Sequence, residues 1–454
     1  MGNSDIIAAI ATPPGRGGIG VVRVSGKNLK PLALKIVGFT PKPRRATLSK
    51  FLDEDGSVID QGIALYFPAP HSYTGEDVLE LQGHGGPAVL NLLLSSCLSA
   101  GARIAQAGEF TLRAFLNNKL DLVQAESVAD VIDADTAEAA RCAMRSLEGE
   151  FSNTIHILVR ALTDLRVLVE ALLDFPEEEI DTLQHAALNA KLENIQIQLG
   201  EVFRSARQGS LLREGIRVVL VGQPNVGKSS LLNRLAGEET AIVTEVPGTT
   251  RDVVHQTIEI EGVPLHLLDT AGLRETDDPV EKMGMARTRS AIEKANLVLL
   301  LMDSRSGITP EDQAILDTLP PTLPTVYVYN KIDLLNKSST ASAVNGGESK
   351  SALYISAKTG AGIDFLRRKL LEIAGWESGS AGEGIFLARQ RHLSALVAAS
   401  EHLENAGGLA AREIELELLA EELRLAQRAL SSITGQFEAD DLLGEIFSRF
   451  CIGK

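Results

Sequence analysis

A chain of 454 residues, 44% of them hydrophobic, exceeds what one ordinary core holds, so two to four domains are expected. Its formal net charge of −16 is the reverse of a nucleic-acid binder's usual footprint; an RNA role needs a local basic patch or a partner that supplies one. Three widely spaced cysteines argue against a disulfide framework or a zinc site, and no apolar run is long enough to cross a membrane. With no signal-type leader at the N-terminus, the expected compartment is the cytoplasm.

Residues 1–119 read as an α+β domain. Ile19–Val24 and Gly62–Phe67 have strand character, and Val89–Leu94 opens an apolar helix that takes in Cys97 as a small buried hydrophobe. Gly15-Arg16-Gly17-Gly18-Ile19-Gly20 matches a dinucleotide fingerprint formally. A strand-like run follows it where a helix should, so only a tight turn is expected. The polar and glycine-rich cluster Thr74–Gly86 reads as a loop-rich pocket wall, with His84 a satisfied loop histidine.

Residues 120–213 turn helical. Ala125, Val128 and Ile132 share one face, as do Leu158, Leu162, Leu165, Val169 and Leu172; Pro176 and the glutamates after it break the pattern before a helix from about Leu188 to Arg207. Residues 214–376 alternate strand and helix, the pattern of a parallel α/β sheet. Residues 377–454 return to helix, with Leu393, Leu396, Val397 and Leu403 on one stripe and Leu416, Leu419, Leu423, Ala426 and Leu430 on another. The two helical segments are expected to pack together as one domain into which the α/β domain is inserted. Residues 377–384 read as a flexible exit linker, and 336–351 as a surface loop.

The strongest chemical signal is Gly222-Gln223-Pro224-Asn225-Val226-Gly227-Lys228-Ser229-Ser230, set between a β-branched strand and a helix. The G-x-x-x-x-G-K-S spacing lets backbone N–H groups curl around phosphates at a helix N-terminus, with Lys228 reaching the outer phosphates and Ser229 ligating Mg²⁺. Thr250, in Gly248-Thr249-Thr250-Arg251-Asp252, is the natural switch threonine for the same ion. Asp269-Thr270-Ala271-Gly272 closes a strand so that Asp269 supports Mg²⁺ through its shell. In Asn330-Lys331-Ile332-Asp333 the Asp333 carboxylate can accept the guanine N1–H and 2-amino pair, which adenine lacks, and Ser356-Ala357-Lys358 supports the guanine carbonyl. Together these make a GTPase of P-loop, Ras-like type.

Leu273 stands where signalling GTPases carry a water-orienting glutamine. Glu281 can polarise the attacking water, directly or through a second water, or it is a solvated loop carboxylate. Asn225 helps bind a monovalent cation in place of an arginine finger, or it makes a hydrogen bond that stabilises its loop. The Cys451-Ile452-Gly453-Lys454 tail lacks the residues of a prenylation box, although a terminal cysteine beside a lysine and the carboxylate suits a place in a site.

The three GTPase clusters, ending in Asp-Thr-Ala-Gly-Leu-Arg, resemble the Era/Der/TrmE group of potassium-stimulated GTPases. Ala11–Gly18, Gly75–Glu80, Asn118–Leu122 and the Cys-Ile-Gly-Lys tail are similar to the MnmE (TrmE) family of tRNA-modifying GTPases over essentially the whole chain. That resemblance implies a homodimer formed through an N-terminal domain that binds a tetrahydrofolate donor in 5,10-methylene or 5-formyl form. It implies an FAD- and NADH-using partner, MnmG, in a heterotetramer, and an aminomethyl or carboxymethylaminomethyl group installed at C5 of the tRNA wobble uridine. Folate contacts fall on Arg23, Glu80 and Lys119, with Lys454 nearby. Potassium contacts fall on Asn225, Thr244, Val246 and Thr249, the catalytic glutamate on Glu281, and the tail cysteine on Cys451, its role open. Readings of other kinds are an Era- or Der-like regulatory GTPase in ribosome assembly and a nucleotide-gated interaction protein.

Overall fold

The computed structural model describes residues 5–174, 182–237, 255–269, 292–335, 352–377, 384–410, 416–435, 446–448, 450, 451 and 453. The chain divides into two compact units. The first comprises 1–129, 146–195 and 398–454, and the second 130–145 and 196–397.

In the first unit, strands β1 (Ile7–Ile10), β2 (Gly17–Gly26), β3 (Thr47–Leu52), β4 (Val58–Phe67), β5 (Asp77–Gly85) and β6 (Arg103–Ile104) form one sheet in the order β3-β4-β5-β2-β1-β6. Every pairing is antiparallel except β1 with β6. Strand alternation puts Val22, Val24, Ala64, Tyr66, Leu79 and Leu81 on the face that packs with α1 (Lys30–Val37) and α2 (Pro87–Ser99), and Cys97 joins that core. The opposite face carries Arg23, cross-strand from Glu80, which is itself cross-strand from Leu65.

The expected loop at 74–86 is mostly strand, because β5 is a central strand paired on both sides. Its glycines serve close backbone approach: a Cβ on Gly85 would lie 2.7 Å from the Gly17 carbonyl oxygen. His84 therefore sits on a strand, with Nδ1 2.8 Å from Asp60 Oδ1.

Helices α3 (Glu109–Leu116), α4 (Leu122–Ile132), α5 (Ala137–Leu147), α6 (Glu150–Asp174) and α7 (Thr182–Glu214) follow; α7 is longer at both ends than the periodicity suggests. The second unit's sheet joins β7 (Ile216–Val221), β8 (His255–Ile260), β9 (Val263–Asp269), β10 (Leu297–Asp303), β11 (Thr325–Asn330) and β12 (Ala352–Tyr354) in the order β12-β11-β10-β7-β9-β8. Only β8 runs antiparallel to its neighbour. Its parallel strands are apolar on both faces, since one core lies on each side of the sheet, with α8 (Lys228–Gly237) and α10 (Ile363–Ala374) on one face. Helix α9 (Pro310–Asp317) opens with a capping box made by Thr309 and Asp312.

Helices α11 (Gln390–Ala410) and α12 (Leu416–Ile433) follow. Within the first unit α12 packs on α6, where Arg166 Nη1 donates to Gln427 Oε1 at 2.7 Å. The buried stripe of α12 is the expected one. On α11 it runs through Leu396, Ala399 and Leu403, which leaves Val397 42% exposed; Ile132 likewise turns outward on α4. Residues 176–179, 336–351 and most of the expected linker, 378–383, lie outside the described residues.

Candidate functional site

Two constellations gather the residues singled out by the sequence. The first lies at the C-terminal ends of the strands in the second unit, where open α/β sheets bind ligands. The phosphate loop leaves β7 at Gly222, whose φ of +149° brings its α-carbon so close to β10 that a Cβ would sit 2.3 Å from the Leu301 carbonyl oxygen. Asn225 is exposed at φ +63°, Gly227 follows at φ +104°, and the helix opens at Lys228. Lys228 Nζ donates to the Gly222 and Gln223 carbonyls at 2.7 and 3.0 Å, folding over the loop it serves. Ser229 and Ser230 are exposed at the helix start.

Asn330 ties this loop to the base-recognition loop. Its Nδ2 donates to the Val226 carbonyl at 2.8 Å, and its Oδ1 accepts the Ala357 N–H at 2.9 Å. Ser356 Oγ donates to Asp333 Oδ1 at 2.6 Å and accepts the Thr359 N–H, which orients the carboxylate that the sequence marks as a candidate for guanine. Lys331 is left-handed at φ +68°, and its Nζ reaches Asp303 Oδ2 at 2.9 Å. Asp303 also takes both arms of Arg305, at 2.9 and 2.7 Å. Arg305 foremost, and Lys331 with it, hold the Asp303 carboxyl well below the usual carboxylate range, outweighing the opposing effect of burial. Arg234 on α8 donates to the Ala357 and Lys358 carbonyls at 3.2 and 2.5 Å and braces the same loop from behind.

Asp303 and Arg234 were not singled out from the sequence. Nothing in it marks their link to the site, because Arg234 bonds backbone carbonyls and Asp303 reaches the base-recognition motif through Lys331, 28 positions away. The backbone of Asp269 ends β9, paired with Leu220. Thr244, Val246, Thr249, Thr250, Thr270, Ala271, Gly272, Leu273 and Glu281 lie outside the described residues.

The second constellation lies on the open face of the first unit's sheet. Arg23 Nε donates to Glu80 Oε1 at 3.0 Å, with Nη2 2.9 Å from the same oxygen. The Arg23 guanidinium stands over the rings of Tyr73 and Phe110 at 5.6 and 5.8 Å, a cation–π geometry. Burial raises the Tyr73 phenol, with Thr111 and Arg23 opposing. The C-terminal tail reaches this spot: Arg23 Nη1 donates to the Gly453 carbonyl at 3.4 Å, and the Gly108 N–H donates to the Cys451 carbonyl. Phe447 and Phe450 anchor the tail in a cluster with Leu122 and Ala125, and Cys451 itself is exposed. Lys119 is exposed, and its Cγ would lie 3.3 Å from a Cβ on Gly75, two residues from Tyr73. Lys454 lies outside the described residues. Tyr73 and Phe110 escaped the sequence reading; an aromatic beside a glycine cluster carries no signal of its own.

Beneath the face, Arg113 is buried and pairs with Glu76, Glu109 and Asp5, each at 2.9 Å. Among the described residues no group of three His, Cys, Asp or Glu is arranged to hold a metal ion.

A model described as the MnmE helical domain matches residues 122–451, and one described as the GTP-binding protein TrmE N-terminus matches 6–119. The tRNA modification GTPase MnmE of Nitrosospira multiformis is 72% identical over 454 residues, covering all of both chains. The chain belongs to the MnmE family. The MnmE protein of Nitrosomonas europaea is 65% identical, again over all of both chains. Among solved structures, a variant of Aquifex aeolicus Era bound to GDP and AlF4⁻ is 27% identical, covers 41% of this chain and 66% of its own, and has a TM-score of 0.30. As a member of the MnmE family the chain is a GTPase of tRNA modification, multidomain, with a P-loop G domain. These full-length matches favour that reading over an Era- or Der-like regulator of ribosome assembly. No helix among the described residues is long and apolar enough to cross a membrane.

Proposed function

We propose that this GTPase works in the cytoplasm as a homodimer with an FAD- and NADH-using MnmG-type partner. Together they add an aminomethyl or carboxymethylaminomethyl group to C5 of the tRNA wobble uridine. In this reading residues 1–119 bind folate and dimerise, 120–213 and 377–454 form one helical domain, and 214–376 are the inserted G domain. The observation that carries it is the convergence of Arg23, Glu80 and the tail at Gly453, which come together from positions up to 430 residues apart. Cations at Arg23, Lys119 and Lys454 suit the acidic tail of a tetrahydrofolate, and Glu80 suits the donor edge of its pterin. The half-buried ring of Tyr73 beside Arg23 suits a flat ring. The folate supplies the one-carbon unit when bound; the chain's own residues orient it and bring Cys451 alongside.

In the G domain, Lys228 and the backbone from Asn225 to Ser230 bind the phosphates of GTP. Asp333, with Asn330, Lys331, Ser356, Ala357 and Lys358, selects guanine. Ser229 and Thr250 hold Mg²⁺, with Asp269 to Gly272 behind them. The exposed, left-handed Asn225 is free to turn its side chain toward a cation at the phosphates, which fits a K⁺ site completed by Thr244, Val246 and Thr249. Glu281 activates the attacking water, since Leu273 has no group to do so.

Nucleoside mass spectrometry of tRNA from cells lacking the protein tests the whole reading. Loss of the modified wobble uridines, restored by the wild-type gene and not by Glu80→Ala, is the expected result. Unchanged wobble uridines overturn it.

A further inference from the structure

Charge in this acidic chain is unevenly distributed. From Ile6 to Leu52 there is no aspartate or glutamate, while nine positions are lysine or arginine. Arg23 pairs with Glu80. Lys27 shares a hollow with Glu76 and Asp77, and Lys35 shares another with Asp53 and Glu54, so acidic groups offset both. Of the other six, Arg16 and Lys30 stand apart, whereas Lys42, Arg44, Arg45 and Lys50 put four cations within nine residues. All four are exposed and none forms an ion pair with a described residue.

The segment that carries them is held in place. Pro43 bridges to Tyr66, the Arg44 N–H donates to the Tyr66 carbonyl at 2.8 Å, and Arg44 Nη2 donates to the His71 carbonyl at 2.5 Å. The Arg45 N–H turns back to the Lys42 carbonyl at 3.3 Å. Strand β3, which follows, is an edge of the sheet, and Lys50 lies about 10 Å along it from Thr47 at the usual rise per residue. A pre-ordered edge with unpaired cations spread along it matches a line of backbone phosphates. Pre-ordering also lowers the entropic cost of binding.

We propose that the Lys42–Arg45 turn and the β3 edge form a docking surface for the phosphate backbone of the tRNA. The proposal rests on the tRNA-modification reading and adds where this chain touches the RNA. Contacts of this kind position the substrate without reading its sequence, and they weaken as counterions compete. The chain's overall negative charge then keeps binding weak in the absence of the partner.

The test is titration of a fluorescent tRNA transcript with the full-length protein between about 50 and about 200 mM salt. Wild type is compared with the triple variant Lys42→Gln, Arg45→Gln, Lys50→Gln, which leaves the Arg44 anchor intact. Wild type should bind with a steep salt dependence. The triple variant should lose about tenfold in affinity at the lowest salt and about two to three from the slope of log K against log salt. Its GTP turnover and melting temperature should match wild type, and the matching Lys→Arg variant should keep the affinity. Equal affinity and slope in the triple variant, no wild-type binding at the lowest salt, or binding to anionic phospholipid vesicles in preference to tRNA each overturn the proposal. Wobble uridines left unchanged in cells lacking the protein would instead sink the underlying reading, so the two failures are separable.

Discussion

Asn330 donates from Nδ2 to the Val226 carbonyl at 2.8 Å, so the residue that opens the base-recognition motif is bonded directly to the phosphate loop. Its Oδ1 takes the Ala357 N–H, and one buried side chain therefore sets the distance between the phosphate and base ends of the nucleotide site. Asn330→Ala leaves a buried carbonyl and a buried N–H unmet, at about 1–3 kcal/mol each. The expected result is guanine-nucleotide release at least about tenfold faster, read by stopped-flow fluorescence. Release at the wild-type rate would mean the two loops hold their spacing without this bridge.

Asp303 acts one step further out. Its carboxylate grips Lys331, two residues before Asp333, the proposed reader of guanine. Because Arg305 and Lys331 hold its pKa well below the usual carboxylate range, the grip persists across the working pH range. Asp303→Asn keeps the shape and removes the charge, and it should raise the dissociation constants for GTP and GDP several-fold together. A change confined to turnover would assign Asp303 elsewhere.

If the proposed cation site at Asn225 operates, hydrolysis should be much faster in K⁺ than in Na⁺, the smaller ion being unable to serve it. Glu281→Ala should lose turnover and retain GTP binding. Steady-state phosphate release in the two salts, with nucleotide binding measured alongside, decides both. Equal rates remove the cation mechanism, and normal turnover removes Glu281.

The G-domain loops were legible in the sequence because their chemistry requires fixed residue types at fixed spacing: Gly222, Lys228 and Asn330 announce themselves. The family of the chain was legible for the same reason, through the N-terminal clusters and the tail. Asp303, Arg234, Tyr73 and Phe110 were not, because each acts through a neighbour that only the fold supplies. The strand at Asp77–Gly85 was hidden by glycines. They suggest a loop in sequence but serve close backbone approach within a central strand. Val397 and Ile132 show the limit of periodicity, which finds a helix but fixes its buried face only to within about one residue.

The three cysteines should separate cleanly. Burial pushes the Cys97 thiol up to about 12, and burial also raises Cys142 despite the adjacent Arg145. Cys451 is exposed. A thiolate-selective maleimide at neutral pH should label Cys451 alone in the native protein and all three in denaturant, as read by peptide mass spectrometry. If a folate derivative occupies the open face, it should slow that labelling. Native labelling of Cys97 would contradict its place in the core.

The buried charges under the open face give the first unit an acid-sensitive foundation. Burial alone would raise Glu109, but the Arg103 hydrogen bond, the Gln106 N–H and Arg113 outweigh it and hold the carboxyl below its unfolded value of 4.5. A carboxyl depressed on folding contributes stability that is fully present above the unfolded value and is lost as pH falls through the folded one. Melting temperature should therefore be flat from neutrality down to about pH 5 and then fall, with Glu109→Gln flattening part of that fall. Arg113→Met should be costlier than removing any one acid. It strands the buried Glu76 without its cation and takes from Glu109 one of its two arginines, and breaking a buried pair from one side costs about 3–5 kcal/mol. Glu76 also accepts from Ser25 Oγ, itself 2.7 Å from Thr74 Oγ1, so the loss should propagate to the loop that carries Tyr73. Calorimetric folate binding by Arg113→Met should weaken even though Arg113 lies beneath the candidate folate contacts. Unchanged affinity would show that the open face keeps its geometry without the network below it.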